Sequence, residues 1–185
     1  MKSTKNLHTK TLNITFIALF AALSYLAISM FRIPLGPMFI HFGNLLVITA
    51  ALLLGGWQGG LSGSIGMGLF DILGGYADSF PKTFTLKFLI GFITGMVFKA
   101  LTKTTKINKT VSAIISALCG MTFNLIGETV WKTVTYSLAG SSVKAAFVSA
   151  VLAQSSTLVN AVISVIGGVL LYSVLQKPFS KILNK

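Results

Sequence analysis

Long apolar stretches separated by short polar connections make up almost the whole of this sequence. A helix that spans a bilayer needs about 20 consecutive, mostly apolar residues, and six stretches approach or exceed that length. We therefore predict an all-α integral membrane protein, a six-transmembrane-helix bundle. Its helices are expected at about residues 12–31, 39–54, 58–73, 84–101, 111–136 and 143–175.

The connections are too short to hold a second domain, so residues 1–185 are predicted to form a single membrane domain. The longest polar stretch, Thr102 to Thr110, has nine residues. The chain contains no GxxxxGK(S/T) sequence for a nucleotide, no HExxH and no paired-cysteine spacing for a metal. We therefore predict that the protein is not an enzyme and holds no cofactor or metal of its own.

The net charge at first suggests another class of protein. Lys and Arg number 15 against three Asp and Glu, a formal charge of +12, which would suit a nucleic-acid partner if it lay on a water-facing surface. Cytoplasmic segments of membrane proteins, however, are also rich in Lys and Arg. With both termini in the cytoplasm, ten basic residues fall in inner segments and five in outer ones, so we predict that orientation and no nucleic-acid partner. The outer five are Arg32, Lys82, Lys87, Lys132 and Lys144.

Polar residues inside the predicted helices are the candidates for function. An unpaired charge in hydrocarbon costs at least about 2.5 kcal/mol, so such groups usually face a cavity or each other. Asn124, Glu128 and Lys132 follow one another at four-residue spacing and share a helix face. They predict either an ion pair between Glu128 and Lys132 or a polar wall, beside which Trp131 would stack on a flat heterocycle. The chain's acids are Asp71, Asp78 and Glu128.

Other polar residues extend this candidate site at the predicted outer side. His41 and Asn44 open the second helix, Lys87 lies one turn inside the fourth, and Gln154 and Asn160 interrupt the sixth. Each also has a plainer interpretation, as an interface residue, a side chain reaching the membrane surface, or a bond between helices. The predicted substrate-binding residues are His41, Asn44, Asp71, Tyr76, Lys87, Asn124, Glu128, Trp131, Gln154 and Asn160.

Small residues at helical spacing predict close helix packing. Gly91 and Gly95 form a GxxxG sequence in the fourth helix, and Ala18 and Ala22 share a face of the first. Such stripes let helix backbones approach closely. We expect the glycines to pack helices of the bundle together, whereas the alanines could meet either another helix of the chain or an external partner.

Three blocks of the sequence carry a family resemblance. They are the Ala18-x-x-x-Ala22 stripe within FIALFAALSYLA, the block HFGNLLVITAALLLGGWQGGLSGSIGMGLFDILGGY from His41 to Tyr76, and PKTFTLKFLIGFITG from Pro81 to Gly95. Together they resemble the S components of energy-coupling factor (ECF) transporters, small membrane proteins that capture vitamins. The resemblance covers essentially the whole chain.

The resemblance implies a multi-pass protein of the bacterial cell membrane that binds its substrate in a closed cavity near the outer side. Its implied partners are a transmembrane T component and two cytoplasmic ATPase subunits, which would use ATP to deliver the substrate to the cytoplasm. The implied docking face for the T component consists of Ala18, Ala22 and, by adjacency, Ala21.

The resemblance is closest to members assigned to hydroxymethylpyrimidine, a thiamin precursor, or to pyridoxine. A riboflavin-specific S component is the first alternative. The second is a stand-alone, proton-coupled secondary carrier in which Glu128 or Asp71 relays the proton. No inverted repeat relates the two halves of the chain, which weakens the carrier interpretation.

Overall fold

The computed structural model describes residues 2–35 and 38–183, with the side chains of residues 10–34 and 39–182. Within these residues it forms seven α-helices, one hairpin of two short strands and one 3₁₀ turn. The elements are α1 Lys2–Met30, β1 Ile33–Leu35, β2 Met38–Ile40, α2 Gly43–Leu54, α3 Gly56–Leu73, the 3₁₀ turn Ala77–Ser79, α4 Phe80–Thr104, α5 Lys109–Leu138, α6 Val143–Leu152 and α7 Ser155–Leu183.

Four helical segments are long and apolar enough to span a membrane: Lys10–Met30, Ala77–Thr104, Lys109–Leu138 and Ser155–Ile182. α2, with 12 residues, rises only about 18 Å against a hydrocarbon core of about 30 Å. α6 is shorter still, with 10 residues. The all-helical membrane class is therefore confirmed, whereas the count of six spans and the cytoplasmic termini stay predictions.

The stretch predicted as one sixth helix is two helices, which corrects the assignment of residues 143–175. α6 ends at Leu152, and α7 begins at Ser155. The ammonium group of Lys132 donates a hydrogen bond to the carbonyl oxygen of Ala153 at 3.1 Å. Residues 154–157 are polar (QSST), but hydropathy alone could not show that the helix breaks there, because the partner of the carbonyl comes from another helix.

The second helix also begins later than predicted. Residues 39 and 40 belong to β2, which pairs antiparallel with β1 so that Ile33 lies opposite Ile40 and Pro34 opposite Phe39. Proline cannot donate a ladder hydrogen bond and is tolerated at such an edge. This hairpin positions the aromatic ring of Phe39 and the backbone of His41 over one end of the bundle.

Glycines bring α3 and α4 into backbone contact. A Cβ atom at Gly91 would collide with the backbone of Gly60, and one at Gly95 with the backbone of Gly56. α1 meets α3 in the same manner, since a Cβ at Gly66 would collide with the carbonyl of Ala21.

The α1–α3 contact decides the environment of the alanine stripe. Ala21 is buried against α3, whereas Ala18 and Ala22 are exposed. The inclusion of Ala21 in an external docking face is therefore wrong, because adjacent residues on a helix point about 100° apart.

Different helix termini meet at the two ends of the bundle. One end joins the last turns of α1 and α3 to the first turns of α2, α4 and α7, and we call it the cavity end. The other joins the ends of α2 and α7 to the start of α5, and we call it the lysine end. Between them lies an apolar core that includes Ile48, Met67, Ile90 and Met121.

Candidate substrate cavity

A cavity of about 120 Å³ lies within the cavity end. It brings together residues from α1, β2, α2, α3, α4, α5 and α7, which no single stretch of sequence could do. Eight of the ten predicted substrate-binding residues line it: His41, Asn44, Asp71, Tyr76, Lys87, Asn124, Glu128 and Asn160. Their role in binding stays a prediction, but their convergence on one cavity is a property of the fold.

Two lysines of α4 bond side chains of α5 at the cavity. Lys82, at the start of α4, contacts Glu128 of α5 with Nζ and Oε2 3.3 Å apart. Lys87, one helical turn and a half further along α4, donates to Oδ1 of Asn124 at 3.4 Å. The alternative ion pair between Glu128 and Lys132 does not form, because Lys132 donates to the α6–α7 break instead.

Lys87 is buried rather than extended toward the membrane surface, with 6% of its side chain exposed. Together with Lys82 it balances the two carboxylates that line the cavity, Asp71 and Glu128. Within the part of the chain that the structure describes, no three His, Cys, Asp or Glu side chains come together in a way that could hold a metal ion.

His41 is a buried, neutral hydrogen-bonding group. Its Nδ1 accepts from the backbone N–H of Gly43 at 3.2 Å, so the proton of the neutral ring lies on Nε2. Burial, with a smaller effect from the positive charge of Lys87, lowers the pKa of His41 to about 3. At physiological pH the ring therefore offers an uncharged N–H donor on its second nitrogen.

Asn160 of α7 holds the strand and the helix entry in place. Its Oδ1 accepts from the backbone N–H of His41 at 2.9 Å, and its Nδ2 donates to the carbonyl of Phe39 at 2.8 Å. Both ends of the amide therefore bond the backbone between β2 and α2. The structure assigns Asn160 a positioning role, which neither of the two sequence interpretations of this residue had specified.

Three buried polar atoms of cavity residues have no hydrogen-bond partner. They are Oδ1 of Asn44, Oδ2 of Asp71 and Nδ2 of Asn124. Buried polar atoms in proteins are nearly always paired, and each unpaired group costs about 1–3 kcal/mol. Two acceptors and one donor without partners therefore belong to side chains that line the same small cavity, and a polar molecule with complementary groups would satisfy them.

An aromatic wall closes one side of the cavity. Tyr76 stacks on Phe70 with ring centroids 5.8 Å apart and meets the edge of Phe39 at 5.5 Å. The guanidinium of Arg32 lies 5.0 Å from the ring centre of Phe70 and 5.1 Å from that of Phe39, within reach of a cation–π interaction.

Sequence reasoning missed several of the lining residues. Phe39 and Phe70 are not distinguishable from core aromatics in the sequence. The sequence places Lys82 only in the group of outer basic residues. A usable signal existed for Thr83, which lies one turn before Lys87 on the same face of α4 and also lines the cavity.

Two predicted site residues do not line the cavity. Trp131 remains 40% exposed, because three residues on from Glu128 it lies about 60° round the helix from the polar stripe. The predicted stacking platform from this residue is therefore wrong, and Phe39, Phe70 and Tyr76 supply the aromatic surface instead. Gln154 lies at the α6–α7 break, where its Nε2 donates to Oγ1 of Thr129 at 2.9 Å.

Comparison with known proteins agrees with this architecture. The family model described as "ECF-type riboflavin transporter, S component" matches residues 8–177. A solved structure of ThiT from Listeria monocytogenes superposes with a TM-score of 0.63 at 17% identity, covering 94% of this chain and 98% of ThiT. At that identity the likeness shows a shared fold alone. No curated protein sequence is significantly similar to this chain.

Proposed function

We propose that this chain, which belongs to the family of ECF-type riboflavin transporter S components, captures a neutral vitamin or vitamin precursor with a single ring. Hydroxymethylpyrimidine and pyridoxine are the candidate substrates. The family makes the chain a multi-pass membrane protein and a substrate-binding transporter subunit rather than an enzyme. ECF S components act with a T component and ATPases, so the stand-alone carrier has no support in the family assignment.

The size of the cavity supports a single ring. The cavity measures about 120 Å³, below the roughly 300–1,000 Å³ of pockets that take drug-sized ligands. A pyrimidine or pyridine ring with a few small substituents is smaller than such ligands. Riboflavin, with three fused rings and a sugar-alcohol chain, is not.

The charge of the cavity supports an uncharged substrate. Asp71 and Glu128 are balanced by Lys82 and Lys87, and all four line the cavity. A phosphorylated or cationic ligand would add a charge without a partner, and a buried unpaired charge costs several kcal/mol. A neutral ligand leaves the balance intact.

The observation that carries the proposal is the set of unpaired atoms. A ligand that binds here would donate to Oδ1 of Asn44 and Oδ2 of Asp71 and accept from Nδ2 of Asn124. An amino or hydroxymethyl group next to a ring nitrogen offers both kinds of partner. The aromatic wall of Phe39, Phe70 and Tyr76 would pack against the ring.

The test is calorimetric titration of the purified chain with hydroxymethylpyrimidine, pyridoxine and riboflavin in parallel. We expect saturable binding of one molecule per chain for a single-ring compound, with micromolar or lower Kd. The phosphate ester of the same compound should bind at least tenfold more weakly, because of the added charge. Failure of both single-ring compounds to bind would contradict the proposal.

Riboflavin is the second candidate, because the matching family model names it and because the aromatic wall offers a stacking surface. A riboflavin Kd below that of both single-ring compounds in the same titration would favour it. That result would also require the cavity to widen, which a crystal structure of the complex would show.

We propose that Ala18 and Ala22 form the docking face for the T component, since both are small, exposed and one turn apart on α1. Ala22→Leu should prevent co-purification of the T component and leave substrate binding unchanged. Ala100→Leu, at an exposed alanine on α4, is the matched control. Co-purification of the Ala22→Leu variant at wild-type yield would contradict this assignment.

A further inference from the structure

The lysine end contains a second and larger cavity, of about 360 Å³. It lies between the ends of α2 and α7 and the first residue of α5. Its polar side chains are Lys109, Gln176, Lys177 and Ser180, and its apolar surface includes Leu52 and Tyr172. Neither the family assignment nor the proposed substrate site gives this cavity a role.

The electrostatics of this end are of one sign. Every acid of the chain lies near the cavity end, and the lysine end carries Lys10, Lys99, Lys103, Lys106, Lys109, Lys177 and Lys181. In the described residues the ion pair is between Lys82 and Glu128, so none of these seven lysines is neutralised by an acidic side chain. The field at the second cavity is therefore strongly attractive to an anion.

The side chains that line the second cavity differ in whether their hydrogen-bond donors are already bonded within the chain. Ser180 donates its hydroxyl to the carbonyl of Lys177 at 2.9 Å, and Gln176 donates to the carbonyl of Ser173 at 3.2 Å. The ammonium groups of Lys109 and Lys177 are the charged donors at the cavity. Two ammonium groups from different helices can bind oxygens of the same phosphate.

We propose that this cavity binds the headgroup of an anionic phospholipid. The two lysines contact the phosphate, and the surface around Leu52 and Tyr172 receives the apolar part of the lipid beside it. Basic pockets between transmembrane helices are suited to such headgroups. Inorganic phosphate would use the lysines but not the apolar surface. An acidic protein segment could use the exposed lysines without entering a cavity.

The site is independent of substrate capture. The apolar core that includes Ile48, Ile90 and Met121 separates the two cavities. Changes at Lys109 and Lys177 should therefore leave vitamin affinity unchanged, which distinguishes loss of this site from loss of the fold.

Native mass spectrometry of the purified chain with phosphatidylglycerol or phosphatidylcholine tests the proposal. We expect one phosphatidylglycerol per chain to remain bound after detergent exchange and phosphatidylcholine to be lost. The double variant Lys109→Gln/Lys177→Gln should bind phosphatidylglycerol at least about tenfold more weakly, as each lysine near an anionic headgroup contributes severalfold. The control Lys99→Gln/Lys103→Gln removes the same charge from exposed residues of α4 outside the cavity, and should stay within about twofold of wild type.

Three results would overturn the proposal. Equal losses in the two double variants would show a diffuse charge effect without a site. Displacement of phosphatidylglycerol by millimolar inorganic phosphate would show a site for the free anion. If the Lys109→Gln/Lys177→Gln variant keeps its lipid but no longer co-purifies the ATPases, the second cavity is a docking surface for an acidic protein segment.

Discussion

The two ends of the bundle carry charge in opposite ways. At the cavity end, carboxylates and lysines are mixed and largely buried, and Lys82 contacts Glu128 at 3.3 Å. At the lysine end, the side chains of Lys99, Lys103 and Lys109 are exposed and have one sign. Burial explains the difference, because a charge removed from water needs a partner, whereas an exposed ammonium keeps its hydration or meets headgroups.

This contrast changes the meaning of the net charge of +12. The excess does not describe the substrate site, where the charges of the lining side chains balance. It describes the other end, where charge bears on orientation and, we propose, on lipid contact. The following changes test whether the two ends are as different in behaviour as they are in composition.

The largest effect is expected for Glu128→Gln. The change leaves Lys82 without the carboxylate that it contacts, and it weakens any hydrogen bond from the substrate to Glu128. Because a hydrogen bond to a charged group contributes about 1.5–3 kcal/mol, substrate binding should weaken by about tenfold or more. Asp78→Asn is the control, because it removes the same charge from an exposed residue outside the cavity. Equal titration curves for Glu128→Gln and wild type would exclude Glu128 from the binding site.

A smaller effect on affinity, but a clear one on stability, is expected for Asn160→Ala. The variant leaves the N–H of His41 and the carbonyl of Phe39 without their side-chain partner. We expect a loss of about 2–4 kcal/mol in stability for the two groups together, with a severalfold weaker substrate affinity. Gln154→Ala, which breaks one side-chain bond away from the cavity, should lower Tm less. A lower Tm for Gln154→Ala than for Asn160→Ala would contradict the positioning role of Asn160.

Added salt should weaken ligand binding at the lysine end but not at the cavity end. Raising the ionic strength from about 0.05 M to about 0.5 M shortens the screening length to a few ångströms. Phosphatidylglycerol retention at the lysine end should therefore fall severalfold. Vitamin affinity measured in the same buffers should change by less than about twofold, because the cavity charges are largely buried and buried charges are screened much less than exposed ones. Parallel decreases would show that both sites are equally exposed to solvent.

The smallest effect is expected from pH near neutrality. With the pKa of His41 lowered to about 3 from its ordinary value near 6.5, substrate affinity should show no step that depends on His41 between about pH 6 and 8. Below pH 6.5 the unfolded chain binds a proton that the folded chain excludes, so the contribution of His41 to stability falls as pH decreases toward 3. His41→Gln should remove this part of the acid sensitivity. A midpoint near pH 6.5 in the binding curve of the wild type alone would contradict the burial of this ring.

Much of the candidate site was accessible to sequence reasoning because polar residues are rare in apolar helices. Asn124 and Glu128 share one face at a spacing of four residues, and both line the cavity. The same reasoning failed for Trp131, which adjoins the stripe in sequence but lies about 60° round the helix from it and does not line the cavity. It also could not identify Phe39 and Phe70 as cavity residues, because the sequence does not show whether an aromatic ring inside an apolar run faces a cavity or the core.

Hydropathy and composition by themselves determined that this protein is an all-helical membrane protein, since the chain is too apolar for any other environment, and they restricted its chemistry to a handful of polar side chains. Only the tertiary structure decided which of these meet. The partner of Glu128 is Lys82, 46 residues away, rather than Lys132 on the same helix. The carbonyl of Ala153 obtains its donor from α5. In both places the choice is made by packing, because a buried polar group pairs with whichever group the fold brings within hydrogen-bonding distance.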